Sequence, residues 1–141
     1  KPSLGLLKNI LDVFPVSISE FFSFELQEEP EKVFYKKDEL TEIGNDLISY
    51  RQLGSNALKN NLQLMYERYQ PSADTGRSMI THEAEEGGIV ISGHLEVTVG
   101  DKTQTLGPGD AYLFNSRTPH RFRNIGKVEC ILVSSCTPPS F

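Results

Sequence analysis

Alternation of apolar and polar residues, which begins near residue 47 and continues towards the C-terminal end, constrains the fold more than any other feature. A period of two is typical of half-buried β-strands, because successive side chains on a strand point to opposite faces of the sheet. Gly, Asn and Pro separate the alternating runs, as expected of turns. The predicted strands are 47–53, 61–70, 78–83, 86–92, 94–99, 102–106, 110–114, 119–124 and 128–135. Many short, closely spaced strands indicate a sandwich or barrel, so we predict an all-β fold.

The clearest hairpin surrounds Gly100-Asp101, which joins the alternating runs 95–99 and 102–106. A two-residue turn of this composition is a common connection between antiparallel strands. The apolar residues of the first run share one face: Leu95, Val97 and Val99.

The N-terminal part of the chain has a different pattern. Between Pro2 and Pro15 the apolar residues fall at helical spacing, and Ser17 with Glu20 has the spacing of a helix-capping box. We therefore predict a short α-helical pair ahead of the β-rich part. The next stretch is rich in acidic residues and reads as a solvated connection. The predicted segments are a helical 1–23, a linker and lead-in over 24–46, and a β-domain over 47–141.

Charge and hydropathy exclude several classes of function. The 141 residues include 19 acids against 14 Lys and Arg, so the chain as it stands repels phosphate backbones and anionic lipids. No apolar run approaches the roughly 20 residues that span a bilayer. We expect a cytoplasmic protein, and because the first residue is Lys rather than Met, we expect an N-terminal portion to be lacking.

Cys130 and Cys136 are the two cysteines of the chain, six residues apart in one predicted strand. At about 3.3 Å per residue their Cα atoms are about 20 Å apart, far beyond the roughly 7 Å that a disulfide allows. We predict two free thiols, consistent with a reducing compartment.

Two of the three histidines belong to a candidate set of metal ligands. On an extended strand His82 and Glu86 point to one face, and His120 lies in a later predicted strand. Two imidazoles and one carboxylate form a facial set for Fe, Mn, Ni or Zn that leaves coordination positions open. A histidine beside a glutamate is also common as a hydrogen-bonded pair without metal, and both readings remain open at this point.

Segments 80–93 and 109–124 resemble the two sequence motifs of the cupin superfamily. The residues that match the motifs are His82, Glu86, Gly93, Gly109, His120 and Asn124. Ile80 stands where the family has its first metal-binding histidine, so the resemblance excludes a four-ligand site and leaves three ligands, His82, Glu86 and His120. It also implies the double-stranded β-helix, or jelly-roll barrel, of cupins.

Residues 66–71 and the tail 136–141 resemble the sensor domain of regulators that join an XRE-type helix-turn-helix to a cupin, in particular repressors of putrescine utilisation. Segment 2–22 is similar to the last helices of their DNA-binding domain. The resemblance implies a homodimer that binds operator DNA through helices upstream of Lys1. It also implies an effector that is a polyamine or a related amine.

A cationic amine is bound well by carboxylates and aromatic faces. The candidate residues for this binding are Glu67, Tyr69, Glu86, Tyr112, Phe114 and Phe122. Each aromatic has the alternative of a place in the barrel core. Arg117, which lies close to His120 in the sequence, would instead suit an acidic effector.

An enzyme of the same layout is the competing interpretation. The resemblance extends to a metal-dependent cupin epoxidase or oxygenase that uses a similar His, Glu and His set on iron. A structural interaction module, the third class, would bind neither metal nor ligand. We expect a ligand sensor without turnover, because nothing else in the sequence resembles a dedicated substrate site.

Overall fold

The structure, a computed structural model, describes residues 32–54, 61–76 and 83–139. The chain divides into two compact units, Lys1–Phe34 and Tyr35–Phe141. The predicted helical pair in 1–23 and nearly all of the predicted strand 78–83 lie outside the described residues. The second unit thus begins upstream of residue 47, and the three predicted segments stay a prediction.

Nine strands and one 3₁₀-helix make up the regular structure of the described residues. The 3₁₀-helix is Lys37–Glu39, and the strands are β1 Thr41–Glu42, β2 Ile48–Gln52, β3 Gln63–Tyr69, β4 Glu85–Ser92, β5 Leu95–Val99, β6 Lys102–Leu106, β7 Ala111–Asn115, β8 His120–Arg123 and β9 Cys130–Thr137. The all-β prediction is confirmed, and the strands predicted in these regions lie within two residues of their observed ends.

Two antiparallel sheets contain these strands. The large sheet has the order β1-β2-β3-β9-β4-β7, and the small sheet has the order β6-β5-β8. Sequence neighbours β4 and β5 belong to different sheets, and β9 lies between β3 and β4, as expected of a jelly roll rather than of a simple meander.

The core lies between the inner faces of the two sheets. Tyr69, Val90 and Leu132 face inward from the large sheet, and Leu95 and Val97 from the small one, all of them buried. Full burial of a side chain such as Leu132 stabilises the fold by roughly 1.5–3 kcal/mol. The alternation in the sequence therefore arises because one face of each strand packs in this core.

The β5–β6 hairpin is present as predicted. Val99 pairs with Lys102 across the turn, and Gly100 adopts φ +62°, a left-handed conformation that a residue without Cβ adopts at little cost. The buried side chains of β5, Leu95 and Val97, lie on the face that the apolar residues of this strand share.

Both cysteines are buried free thiols on the inner face of β9, which confirms the prediction. Burial raises the pKa of the Cys130 thiol to about 11, so it stays protonated at neutral pH. No helix among the described residues is long and apolar enough to cross a bilayer.

Candidate functional site

Polar and aromatic side chains occupy part of the barrel interior. Strand alternation and register bring them there, because inward positions of adjacent strands lie side by side. Glu86 of β4 pairs in register with Phe114 of β7 and with Cys136 of β9. The predicted binding residues that this inner surface includes are Glu67, Tyr69, Glu86, Tyr112, Phe114, His120 and Phe122.

Glu67 is a buried carboxylate in the middle of β3. Its side chain accepts hydrogen bonds from the hydroxyl of Tyr69, at 2.9 Å, and from the hydroxyl of Ser134. Burial outweighs these bonds, and with the nearby charge of Glu86 it raises the pKa of Glu67 to about 7. Within the described part of the chain no Lys or Arg pairs with Glu67. Glu67 is therefore a buried carboxylate that has no basic partner among the residues that the structure describes.

Glu86 of the large sheet lies beside His120 of the small sheet in the interior between them. The Nε2 atom of His120 is 3.9 Å from Oε2 of Glu86, and their side chains are 8% and 20% exposed respectively. The Nδ1 atom of His120 lies 2.8 Å from the carbonyl oxygen of Thr118. Since a carbonyl only accepts, the Nδ1 atom carries a proton in this bond, and Nε2 is the ring nitrogen that is turned towards Glu86.

Tyr112 and Phe114 of β7 form an aromatic wall with Phe122 of β8, so the wall reaches from the large sheet to the small one. The ring centroid of Tyr112 lies 5.7 Å from that of Phe114 and 5.2 Å from that of Phe122. The ring centroid of Phe114 lies 4.9 Å from that of His120. Burial first, and then the charges of Glu67 and Glu86, raise the pKa of Tyr112 well above its usual value. The phenol therefore stays a neutral hydrogen-bonding group near both acids.

Gly88 makes room for this wall. A Cβ atom at position 88 would lie 2.5 Å from the hydroxyl oxygen of Tyr112, so the tyrosine packs directly over the glycine. On the other side of Tyr112 and Phe114, a cleft of about 430 Å³ opens between β6 and β7 and is lined also by Val97 and Val99. The cleft gives solvent a route to the aromatic wall.

A family model described as a cupin domain matches residues 65–136. This chain belongs to the cupin family. Its sequence is 31% identical to that of the HTH-type transcriptional regulator PuuR of Escherichia coli K12. The similarity extends over 140 residues, which are 99% of this chain and 75% of that protein. The chain is thus related to this transcriptional regulator over nearly its whole length.

Solved structures agree on the fold. The Cupin_2 domain of an XRE family transcriptional regulator from Enterobacter cloacae matches with a TM-score of 0.60 and 22% identity, over 67% of this chain and 100% of that one. Ectoine synthase from P. lautus matches with a TM-score of 0.65 and 18% identity, over 77% and 80%. Regulators and enzymes therefore share this barrel, and the fold by itself does not separate them.

Arg117, the remaining predicted ligand-binding residue of the cupin, is not brought to the interior group. Its side chain is 62% exposed and forms an ion pair with Glu83. Two arginines on β8 also pair with acids, Arg121 with Asp74 and Arg123 with Glu96. Arg121 holds the pKa of Asp74 down at about 2, so that carboxylate stays charged.

Of the three predicted metal ligands, His82 lies outside the described residues. Within residues 32–54, 61–76 and 83–139, no three His, Cys, Asp or Glu side chains are close enough together to hold a metal ion. Glu86 and His120 nevertheless suit two ligand positions, because the Nδ1 hydrogen bond of His120 fixes the tautomer and turns Nε2 towards Glu86.

Two residues beside Glu67, Tyr50 and Ser134, were not among the predicted site residues. Tyr50 on β2 packs edge-on to Tyr69, with ring centroids 6.3 Å apart, and burial raises its pKa to about 12. Ser134 donates to Glu67. The alternation of β2 and β9 places Tyr50 and Ser134 on definite faces of their strands. The pairing of β3 with β2 and β9, which the sequence does not show, brings them to Glu67.

Proposed function

We propose that the barrel interior binds a cationic amine, and that this cupin is the effector-sensing part of a transcriptional repressor. The observation that carries the proposal is Glu67, a buried carboxylate with no basic partner among the described residues. A cation that entered the interior would supply the missing charge and strengthen the bonds around the carboxylate, because attraction is stronger in a poorly solvated site.

The second carboxylate and the aromatic wall define the class of amine. Glu86 with its neighbour His120 offers acceptors for one ammonium group, and Glu67 offers an acceptor for another. The faces of Tyr112 and Phe114 suit the methylenes and the charge between them. A polyamine such as putrescine has two ammonium groups on an apolar chain and fits this arrangement.

Regulation then needs only that the amine bind two states of the regulator unequally. Helix-turn-helix regulators read paired half-sites of operator DNA as two-fold dimers, so the proposal includes a homodimer. Turnover is not part of it.

A matched pair of ligands tests the charge preference. Putrescine and succinate have similar length and opposite charge, and the amine alone is expected to raise the melting temperature in a thermal-shift titration. Glu86→Gln removes the charge and keeps the volume of the side chain. It should raise the putrescine concentration needed for a given shift in melting temperature more than tenfold. Glu85→Gln, an exposed neighbour on the opposite face of β4, should leave the effect unchanged. Stabilisation by succinate instead would overturn the amine proposal.

A divalent metal such as Zn, Ni, Fe or Mn is the second proposed ligand, held by His82, Glu86 and His120. The orientation of His120 Nε2 towards Glu86 supports it. Such a metal supplies Lewis acidity and an open coordination position when bound, as in cupin oxygenases. The variant His82→Ala/His120→Ala should lose metal in elemental analysis while its circular dichroism stays unchanged; equal metal content in both proteins would remove this ligand set. Redox-active iron together with turnover would favour the enzyme.

A further inference from the structure

The hydroxyl of Tyr112 forms no hydrogen bond with any residue in 32–54, 61–76 or 83–139. The hydroxyl of Tyr69, by contrast, donates to Glu67 at 2.9 Å. A phenol both donates and accepts, and polar groups inside a protein are normally hydrogen-bonded. The Tyr112 hydroxyl is therefore available to a ligand in the barrel interior.

Strand register places this hydroxyl at a level between the two interior acids. Glu86, Gly88 and Val90 are successive inward residues of β4, and Val90 lies level with Glu67 across β9. Tyr112 packs directly over Gly88. Its hydroxyl is thus one inward position from the level of Glu86 and one from the level of Glu67.

The separation of the two acids gives the ligand a middle part. Four residues along the strands and two strand spacings place the Cα atoms of Glu67 and Glu86 about 16 Å apart along the sheet. A chain that brings one ammonium group to each acid therefore passes the Tyr112 hydroxyl on its way. A diaminoalkane has only methylenes there and would leave the phenol without a partner.

We propose that the interior prefers a linear triamine, whose secondary ammonium group donates a hydrogen bond to the Tyr112 hydroxyl while its terminal ammonium groups bind Glu67 and Glu86. This inference rests on the proposed amine function and narrows the class of ligand. It makes Tyr112 a residue that determines specificity.

The surroundings of the hydroxyl favour a cation over a neutral polar group. Burial, and then the negative charges of Glu67 and Glu86, raise the pKa of Tyr112, so the phenol lies in the field of both acids. The rings of Phe114 and Phe122 lie 5.7 and 5.2 Å from that of Tyr112, centroid to centroid, and aromatic faces attract ammonium groups.

Two amines of equal chain length test the preference. Spermidine has a secondary ammonium group where 1,8-diaminooctane has a methylene. In isothermal titration calorimetry at pH 8, the unmodified chain should bind spermidine more tightly. Tyr112→Phe should weaken spermidine about tenfold or more, as expected for loss of a hydrogen bond to a charged group, and should leave 1,8-diaminooctane unchanged.

Tyr66→Phe is the matched control, because Tyr66 lies on the outer face of β3, and it should keep the ratio of the two dissociation constants. Thermal melting gives a readout without ligand. Since the Tyr112 hydroxyl has no partner among the described residues, Tyr112→Phe should melt at the same temperature as the unmodified chain or higher.

The outcomes separate this inference from the amine function. Tighter binding of 1,8-diaminooctane by the unmodified chain, or the same ratio in Tyr112→Phe, would overturn the triamine preference alone. A lower melting temperature of Tyr112→Phe would do the same, because the hydroxyl would then already be bonded. Absence of binding by both amines would overturn the amine function as well.

Discussion

Glu67 sets the electrostatics of the interior at the scale of single residues. Its pKa rises from 4.5 to about 7 mainly because the carboxyl is buried. Between these values the folded chain holds a proton that the unfolded chain has released. The contribution of Glu67 to stability therefore falls as pH rises from about 4.5 to about 7, and stays at its lower level above that.

The variant Glu67→Gln should lack this pH dependence. Relative to the unmodified protein, its free energy of unfolding should rise on the order of 3 kcal/mol between pH 4.5 and pH 8, since each pKa unit corresponds to about 1.4 kcal/mol. Urea unfolding of both proteins at several pH values measures the difference. Parallel curves for the two proteins would show that the carboxyl titrates normally.

Strand alternation explains at the scale of elements which parts of the fold were predictable. The β5–β6 hairpin and the long strands have runs long enough to display a period of two, and each was predicted. Strand β1, Thr41–Glu42, is too short to show any period and lies in a stretch interpreted as linker. It forms because Glu42 pairs with Arg51 and accepts hydrogen bonds from β2.

The candidate site was predictable to the extent that one strand defines it. Alternation and the motif match placed Glu86 on the inward face of β4. The partner of Arg117 was not predictable, because Glu83 lies 34 residues away and the pair depends on how separate strands assemble. Local patterns specify faces, whereas tertiary pairing specifies neighbours.

The fit of β4 against β7 gives a prediction for a strand pair. Gly88→Ala should displace Tyr112, whose hydroxyl lies 2.5 Å from the new Cβ, and lower stability by about 1–3 kcal/mol. Gly87→Ala, which meets Leu113 at 3.3 Å on the outer face, is the adjacent control and should cost less. Urea unfolding distinguishes them, and equal losses would mean that Tyr112 does not pack on Gly88 as described.

The whole molecule combines an acidic surface with an interior that contains two acids near each other. The chain carries a net charge of −5, so cations accumulate around it and anions are repelled before any specific contact forms. In the proposed homodimeric regulator, binding of a cation inside would link the occupancy of the barrel to the arrangement of the two subunits.

Isothermal titration calorimetry with putrescine, at pH 8 where Glu67 is ionised, tests the central claim most directly. Saturable binding by the unmodified protein is expected, with a dissociation constant at least tenfold higher for Glu67→Gln and for the unmodified protein at pH 5.5. The pH effect follows because the amine must displace the proton of Glu67 below pH 7. Absence of binding, or equal affinity in all three titrations, would contradict a cation site built on Glu67.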